Sequence, residues 1–172
     1  MSSPITVNIK MAPYLIQYLE NKYGCQPIAF PRKDRFGSVL PQLTRKPTIE
    51  EFQFDHYGPN TLTVVLPFNQ EKNVLYHNFI PASAQAMFEN MIHKEFLTGF
   101  HSFMNDAYNC KVEITESINV FIDIHRMDYS CFDMLVKERQ RYMNGLRLNR
   151  WRQNKKRQLN DQIVRSATIV NA

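Results

Sequence analysis

Met87, Phe88, Met91, Ile92, Phe96, Phe100 and Phe103 recur at three- and four-residue intervals, and this spacing constrains the fold more than any other feature of the chain. Large apolar groups at that period share one face of an α-helix. The spacing predicts a long helix over 83–108, with Ser83 as its cap after Pro81. A stripe of Met and Phe resembles a ligand pocket only superficially; at helical spacing it is a packing face, and it requires other elements to cover it. Gly99, inside the stripe, predicts either a bend or a close contact.

The elements that would cover it are legible upstream. Residues 5–9 alternate apolar and polar side chains, as a half-buried strand does. Pro13 suits the first turn of a helix whose apolar positions are Tyr14, Leu15, Tyr18 and Leu19, and Gly24 suits its end. The stretch 31–59 mixes prolines with charges and reads as loop with at most a short helical turn. Residues 62–68 are rich in β-formers, and the connector 69–73 leads to a second candidate strand at 74–79, so a hairpin is expected there.

Downstream of a polar break at 105–111, Ile114, Ile118, Phe121 and Ile122 form one apolar face of a short helix over 113–124. An interruption at 125–129 precedes Ser130 and Asp133, spaced as a near capping box, and a further helix with Phe132, Leu135, Val136 and Met143 on its buried side. On the opposite side Lys137, Arg141 and Asn144 stand at i, i+4 and i+7, residue types that reach phosphates or base edges. Two readings fit this pair of helices: a helix-turn-helix, whose usual short glycine-containing turn is missing, and a helical hairpin with a solvated charged face.

Charge bears on both readings. From Lys137 to Arg165 there are ten Lys or Arg against Glu138 and Asp161, a formal +8, so a net charge of +5 leaves the rest of the chain at −3. Charge placed this unevenly creates a local field that attracts polyanions. Beyond Gly145 few residues are apolar, and the segment reads as a flexible or frayed basic arm when alone. Trp151, the single tryptophan, lies between Arg150 and Arg152, where its ring stacks on a base, inserts at an interface, or folds back onto the body. Arg32, Lys33 and Arg35, with Arg45 and Lys46, form a smaller basic group in the proline-rich loop.

Catalytic and metal-binding patterns are not in evidence. Three scattered cysteines, Cys25, Cys110 and Cys131, fit neither a disulfide framework nor paired zinc ligands, and they suit a reducing cytosol. Glu89 and His93 stand one helical turn apart, but no HExxH accompanies them; Asp55 beside His56, and Asp123 near His125, are isolated pairs. There is no Walker loop, GxGxxG or GxSxG. Neither the N-terminal residues 1–10 nor any apolar run reads as a secretion signal or a membrane span. The expectation is a non-enzymatic protein without cofactor or metal.

The helix bearing Ile118, Phe121 and Ile122, the following segment 129–141 and the basic finish, together with Pro13, Tyr14 and Leu15 and the strand end Leu66, Pro67 and Phe68, resemble small proteins encoded by bacteriophages and mobile elements of gut bacteria. The resemblance implies nucleic-acid work or particle assembly in the cytoplasm of a bacterium or a phage-infected host, and transfers no individual residue role.

These readings combine into an α+β fold: a small sheet packed by one long helix over residues 1–112, a helical hairpin compatible with a helix-turn-helix over 113–146, and a flexible basic tail over 147–172. The expected function is nucleic-acid binding, DNA favoured over RNA, with Lys137, Arg141 and Asn144 presented by the second hairpin helix. Arg147, Arg150, Arg152, Lys155, Lys156 and Arg157 would neutralise phosphates and Trp151 would stack. The alternative is a phage or mobile-element assembly protein whose basic arm docks on an acidic protein partner or a nucleoprotein particle. A membrane partner is not expected, since the arm has no bulky apolar face.

Overall fold

The structure, a computed structural model, describes residues 4–49, 51, 60–69 and 71–170, with side chains described as far as 158. The order is β1 (Thr6–Lys10), α1 (Pro13–Tyr23), α2 (Arg35–Leu43), β2 (Thr61–Val65), α3 (Ala82–Asn109), α4 (Ile114–Ile124), a 3-10 turn (Tyr129–Cys131) and α5 (Phe132–Val170). The fold is α+β. It divides into two units between Cys131 and Phe132.

In the first unit β1 and β2 pair antiparallel, with Val7 opposite Val64 and Ile9 opposite Leu62. All four are buried, because side chains alternate between the two sides of a strand and this register places these four together on the core side, with Val65 half-buried on the other. Ile28 adds a short parallel bridge to the other edge of β2, its N–H donating to the Thr63 carbonyl at 2.9 Å and its carbonyl accepting from Val65 N–H at 2.8 Å. The expected hairpin of 62–68 with 74–79 is not formed. Asn73 folds the second segment on itself: its side-chain oxygen accepts from Leu75 N–H at 3.0 Å, and its carbonyl accepts from Tyr76 and His77 at 3.0 Å. Such local bonds compete with a ladder, and Phe79 alone makes an isolated bridge, to Arg45.

The proline-rich loop also differs from expectation, since α2 occupies 35–43. Asp34 caps it by accepting from Phe36 N–H at 3.0 Å. Gly37 is required there: a Cβ would stand 2.2 Å from the Pro31 carbonyl oxygen. Lys72 Nζ supplies hydrogen bonds to the carbonyls of Pro41, Gln42 and Thr44 at the other end, where a cation compensates both the unpaired acceptors and the helix dipole.

Helix α3 is the element on which α1, α2 and α4 gather. Phe88, Ile92, Phe96, Phe100 and Met104 form its buried line, whereas Met87 is exposed. It begins at Ala82 with Pro81 as cap residue, so Ser83 lies inside the helix and caps nothing. Gln85 and Glu89 instead tie α3 to the start of the chain, accepting from Lys10 N–H at 3.1 Å and from Ala12 N–H at 2.9 Å. A Cβ at Gly99 would meet nothing within 4 Å, so no close contact explains that residue. In α4 the buried side is Ser117, Ile118, Phe121 and Ile122; Ile114, expected there, is exposed at the first turn.

Candidate nucleic-acid interface

The second unit is α5, a continuous helix of 39 residues. The 3-10 turn that leads into it is closed by Asp128, whose carboxylate accepts from Ser130 N–H at 2.7 Å and whose carbonyl accepts from Cys131 N–H at 3.2 Å. The seven residues 125–131 separate α4 from α5. That exceeds the three- or four-residue turn of a helix-turn-helix, and α5 is far longer than a helix of such a motif needs to be. The tail expected at 147–172 is the continuation of the helix to Val170. Leu, Arg, Gln and Lys are good helix formers, no proline intervenes, and extending an existing helix avoids the cost of nucleating one.

Along its first four turns α5 is amphipathic. Leu135 is buried, Phe132, Val136 and Met143 are half-buried, and Arg139, also buried, has its guanidinium 5.6 Å from the Tyr142 ring centroid. Beyond Leu146 that pattern ends. Among the twelve residues 147–158 there are six cations and no carboxylate, and every one of them is exposed.

All ten residues singled out from the sequence lie exposed on this one helix. At about 100° per residue, Lys137, Arg141, Asn144, Trp151 and Lys155 fall within about 40° of a single line, and Leu148 completes it at a regular alternation of four and three residues. Arg152 and Lys156 border that line on one side. Arg147 borders it on the other, and Arg150 and Arg157 stand on the far side, so the cations encircle the helix after Gly145. Two local contacts organise the line. Arg141 pairs with Glu138 one turn earlier, and Lys155 Nζ sits 5.2 Å from the centre of the Trp151 ring, a cation–π contact one turn apart. Trp151 is 60% exposed, so it is presented on the helix surface and not folded away.

Twelve residues of helix are about 18 Å long, which gives close to one positive charge per 3 Å. Duplex DNA carries one negative charge per about 1.7 Å of axis. The two linear charge densities are of the same order. Like charges one turn apart, such as Arg152 and Lys156, destabilise an isolated helix by about 0.2–0.5 kcal/mol per pair, and an anion beside them removes that penalty.

The remaining candidate groups have structural partners. Glu89 is held by the start of α1, and His93 lies edge-on to Tyr14 at 6.3 Å. Asp123 accepts from the Tyr129 hydroxyl at 2.7 Å, while the His125 ring packs against Phe121 at 4.4 Å and Tyr18 at 5.2 Å; the two do not form an acid–base pair. Asp55 and His56 lie outside the described residues. Among the described residues no three His, Cys, Asp or Glu side chains converge on a point, and no helix is long and apolar enough to cross a membrane. Cys25 and Cys110 are exposed, Cys131 is buried, and burial pushes the Cys131 thiol up from its ordinary value. Arg32, Lys33 and Arg35 are exposed around the start of α2. Comparison of the chain with protein-family models, with curated proteins and with solved structures gives no match.

Proposed function

We propose that this protein binds nucleic acid, duplex DNA in preference to RNA, through α5, and that it does so without catalysing a reaction on it. One observation carries the reading: six cations and no carboxylate over 147–158, held in helical register and exposed on all sides. A solubilising surface mixes both signs of charge; a segment of one sign at this density is suited to a polyanion. DNA is favoured because its major groove, about 12 Å wide, admits an α-helix, whereas the major groove of A-form RNA is too deep and narrow for side chains to read. The work would then lie where nucleic acid is handled, in the cytoplasm of a bacterium or of a phage-infected host.

Fluorescence anisotropy with labelled duplex DNA, single-stranded DNA and RNA over a salt series tests this. If about five of the cations meet phosphates, log affinity falls against log salt with a slope of roughly −4 to −5 on duplex DNA. A slope near zero, or no binding at low salt, removes the proposal.

A second reading, assembly with a protein partner, is favoured by an open cavity of about 630 Å³ at the corner between α3 and α4, lined by Tyr108, Asn109, Lys111, Val112, Glu113 and Ile114. Tyr108 and Ile114 are exposed there, and exposed apolar groups gathered at one place mark contact surfaces. In that case α5 docks on an acidic protein or a nucleoprotein particle. Concentration-dependent oligomers in light scattering support this reading, and a strict monomer at all concentrations counts against it.

A further inference from the structure

One sector of α5 carries two uncharged amides and a single lysine, Lys156, between them and the nearest arginine. Asn149 and Gln153 are one turn apart and both exposed. Taking Asn149 as the reference, Gln153 lies about 40° away and Lys156 about 20° to the other side, at about 100° per residue. Arg152 flanks this sector on one side by about 60°, and Arg150 and Arg157 flank it on the other by about 80–100°. The arrangement is two amides and Lys156 along a line, with guanidinium groups on both shoulders.

We propose that α5 enters the major groove of duplex DNA on this sector, with Asn149 and Gln153 toward the base edges and Arg150, Arg152 and Arg157 on the phosphates of the two strands. The inference rests on the proposed nucleic-acid function and specifies how the same helix is used. A helix about 10–12 Å across fills a groove about 12 Å wide, with a phosphate backbone on either side of it. Cations on both shoulders meet both backbones, which cations on one side alone would not. The carboxamides of Asn and Gln match the N6 donor and N7 acceptor of adenine, a pair of groups displayed only in that groove. Along the helix axis Asn149 and Gln153 are about 6 Å apart, close to the roughly 7 Å of two base steps, so the two amides address positions separated by one base pair. Neither helix propensity nor charge accounts for asparagine here, since it is among the weaker helix formers and neutralises no phosphate.

The test is selection from duplexes with a randomised core by the full chain at about 0.15 M salt, followed by anisotropy on the enriched sequence. The proposal expects an enriched motif containing adenine. Replacing those adenines by 7-deazaadenine, which keeps the base pair and deletes the N7 acceptor, should weaken binding by about five- to a hundredfold. The Asn149→Ala/Gln153→Ala double variant should lose a similar factor on the motif and none on a scrambled duplex, with an unchanged salt slope. Both residues are exposed and alanine is the better helix former, so this variant keeps its fold. Steep, salt-dependent duplex binding with no enriched motif, or with equal affinity for the 7-deazaadenine duplex, overturns the groove assignment and leaves the proposed function standing. Absence of duplex binding at any salt overturns both.

Discussion

Helices α3 and α5 are the two longest elements of the chain, 28 and 39 residues, and they are held by different forces. In α3 the apolar line Phe88, Ile92, Phe96, Phe100 and Met104 is buried from its second turn to its last, and the first unit packs around it. In α5 apolar groups are withdrawn from solvent over the first four turns, and 147–158 present exposed Arg, Lys, Asn and Gln together with Leu148 and Trp151. Burial is insensitive to salt and to polyanions, whereas cation–cation repulsion along a helix depends strongly on both. The first helix is a foundation and the second is a surface, and the same helical period serves opposite ends.

The comparison is broken most severely by removing a ring from α3. Phe96 is fully buried, with its ring centre 5.2 Å from Tyr18, 5.3 Å from Tyr14 and 5.8 Å from Phe121. Phe96→Ala should cost about 3–5 kcal/mol, through lost burial and the cavity left behind. Denaturant unfolding followed by near-ultraviolet circular dichroism measures it. A loss below about 1 kcal/mol would mean that α3 is not the foundation this contrast makes it.

The converse change acts on α5 alone. Arg150→Gln, Arg152→Gln and Arg157→Gln together remove three exposed cations and keep good helix formers in their place. On duplex DNA the salt slope should become shallower by about 3, and affinity at about 0.1 M salt should fall by two to three decades. The denaturant midpoint of the first unit should stay where it is. Unchanged binding would move the interface off these three arginines, and a lowered midpoint would show that they support the fold.

These two regions also differed in how far they could be read from sequence. The α3 stripe, the β1 alternation and the Pro13–Gly24 boundaries of α1 were legible because each rests on periodicity or on the backbone preferences of one residue. Gly24 does adopt a φ of 99° just past Tyr23. The absence of a hairpin at 74–79 is not legible from β-propensity, because the turn that Asn73 forms with Leu75, Tyr76 and His77 outweighs it. Helix α2 was missed because Pro41 sits near its end, where a proline reads as a breaker, and because the cap supplied by Asp34 is a single residue. In α5 the exposed cations were all identified from composition, but their continuity was not. Low apolar content suggested a flexible tail, and the feature that counters it, a run of helix formers continuing a helix already started, is a property of the neighbouring segment. Asn149 and Gln153 were passed over for the same reason: an angular relation to Arg150, Arg152 and Arg157 exists only once the segment is a helix.

The smallest expected effect sharpens the contrast through pH. His125 ends α4 with its ring between Phe121 and Tyr18, and its Nδ1 is buried without a hydrogen-bond partner. Burial holds its pKa below the ordinary 6.5. Arg126 follows it directly, and the carboxylates nearest in sequence, Asp123 and Asp128, are engaged elsewhere, with Tyr129 and Ser130. On the facing α1, Asn21 donates to the Ile124 carbonyl at 3.1 Å, and Lys22 is paired with Glu95 of α3. The folded state therefore favours the neutral imidazole. Its contribution to stability is complete above pH 6.5 and is lost as pH falls through the depressed folded value. The melting temperature of the first unit should decline as pH drops from about 7 to about 5, and His125→Gln, which does not titrate, should flatten that decline. Asp128 and Glu51, whose carboxyls are held below their ordinary values by hydrogen bonds from Ser130 and from Arg45 and Thr48, respond only at more acid pH. Helix α5 carries no histidine, so the salt slope of duplex binding should not change over the same range. If the slope shifted with pH while the melting temperature did not, the titrating group would belong to the interface and the division between foundation and surface would have to be redrawn.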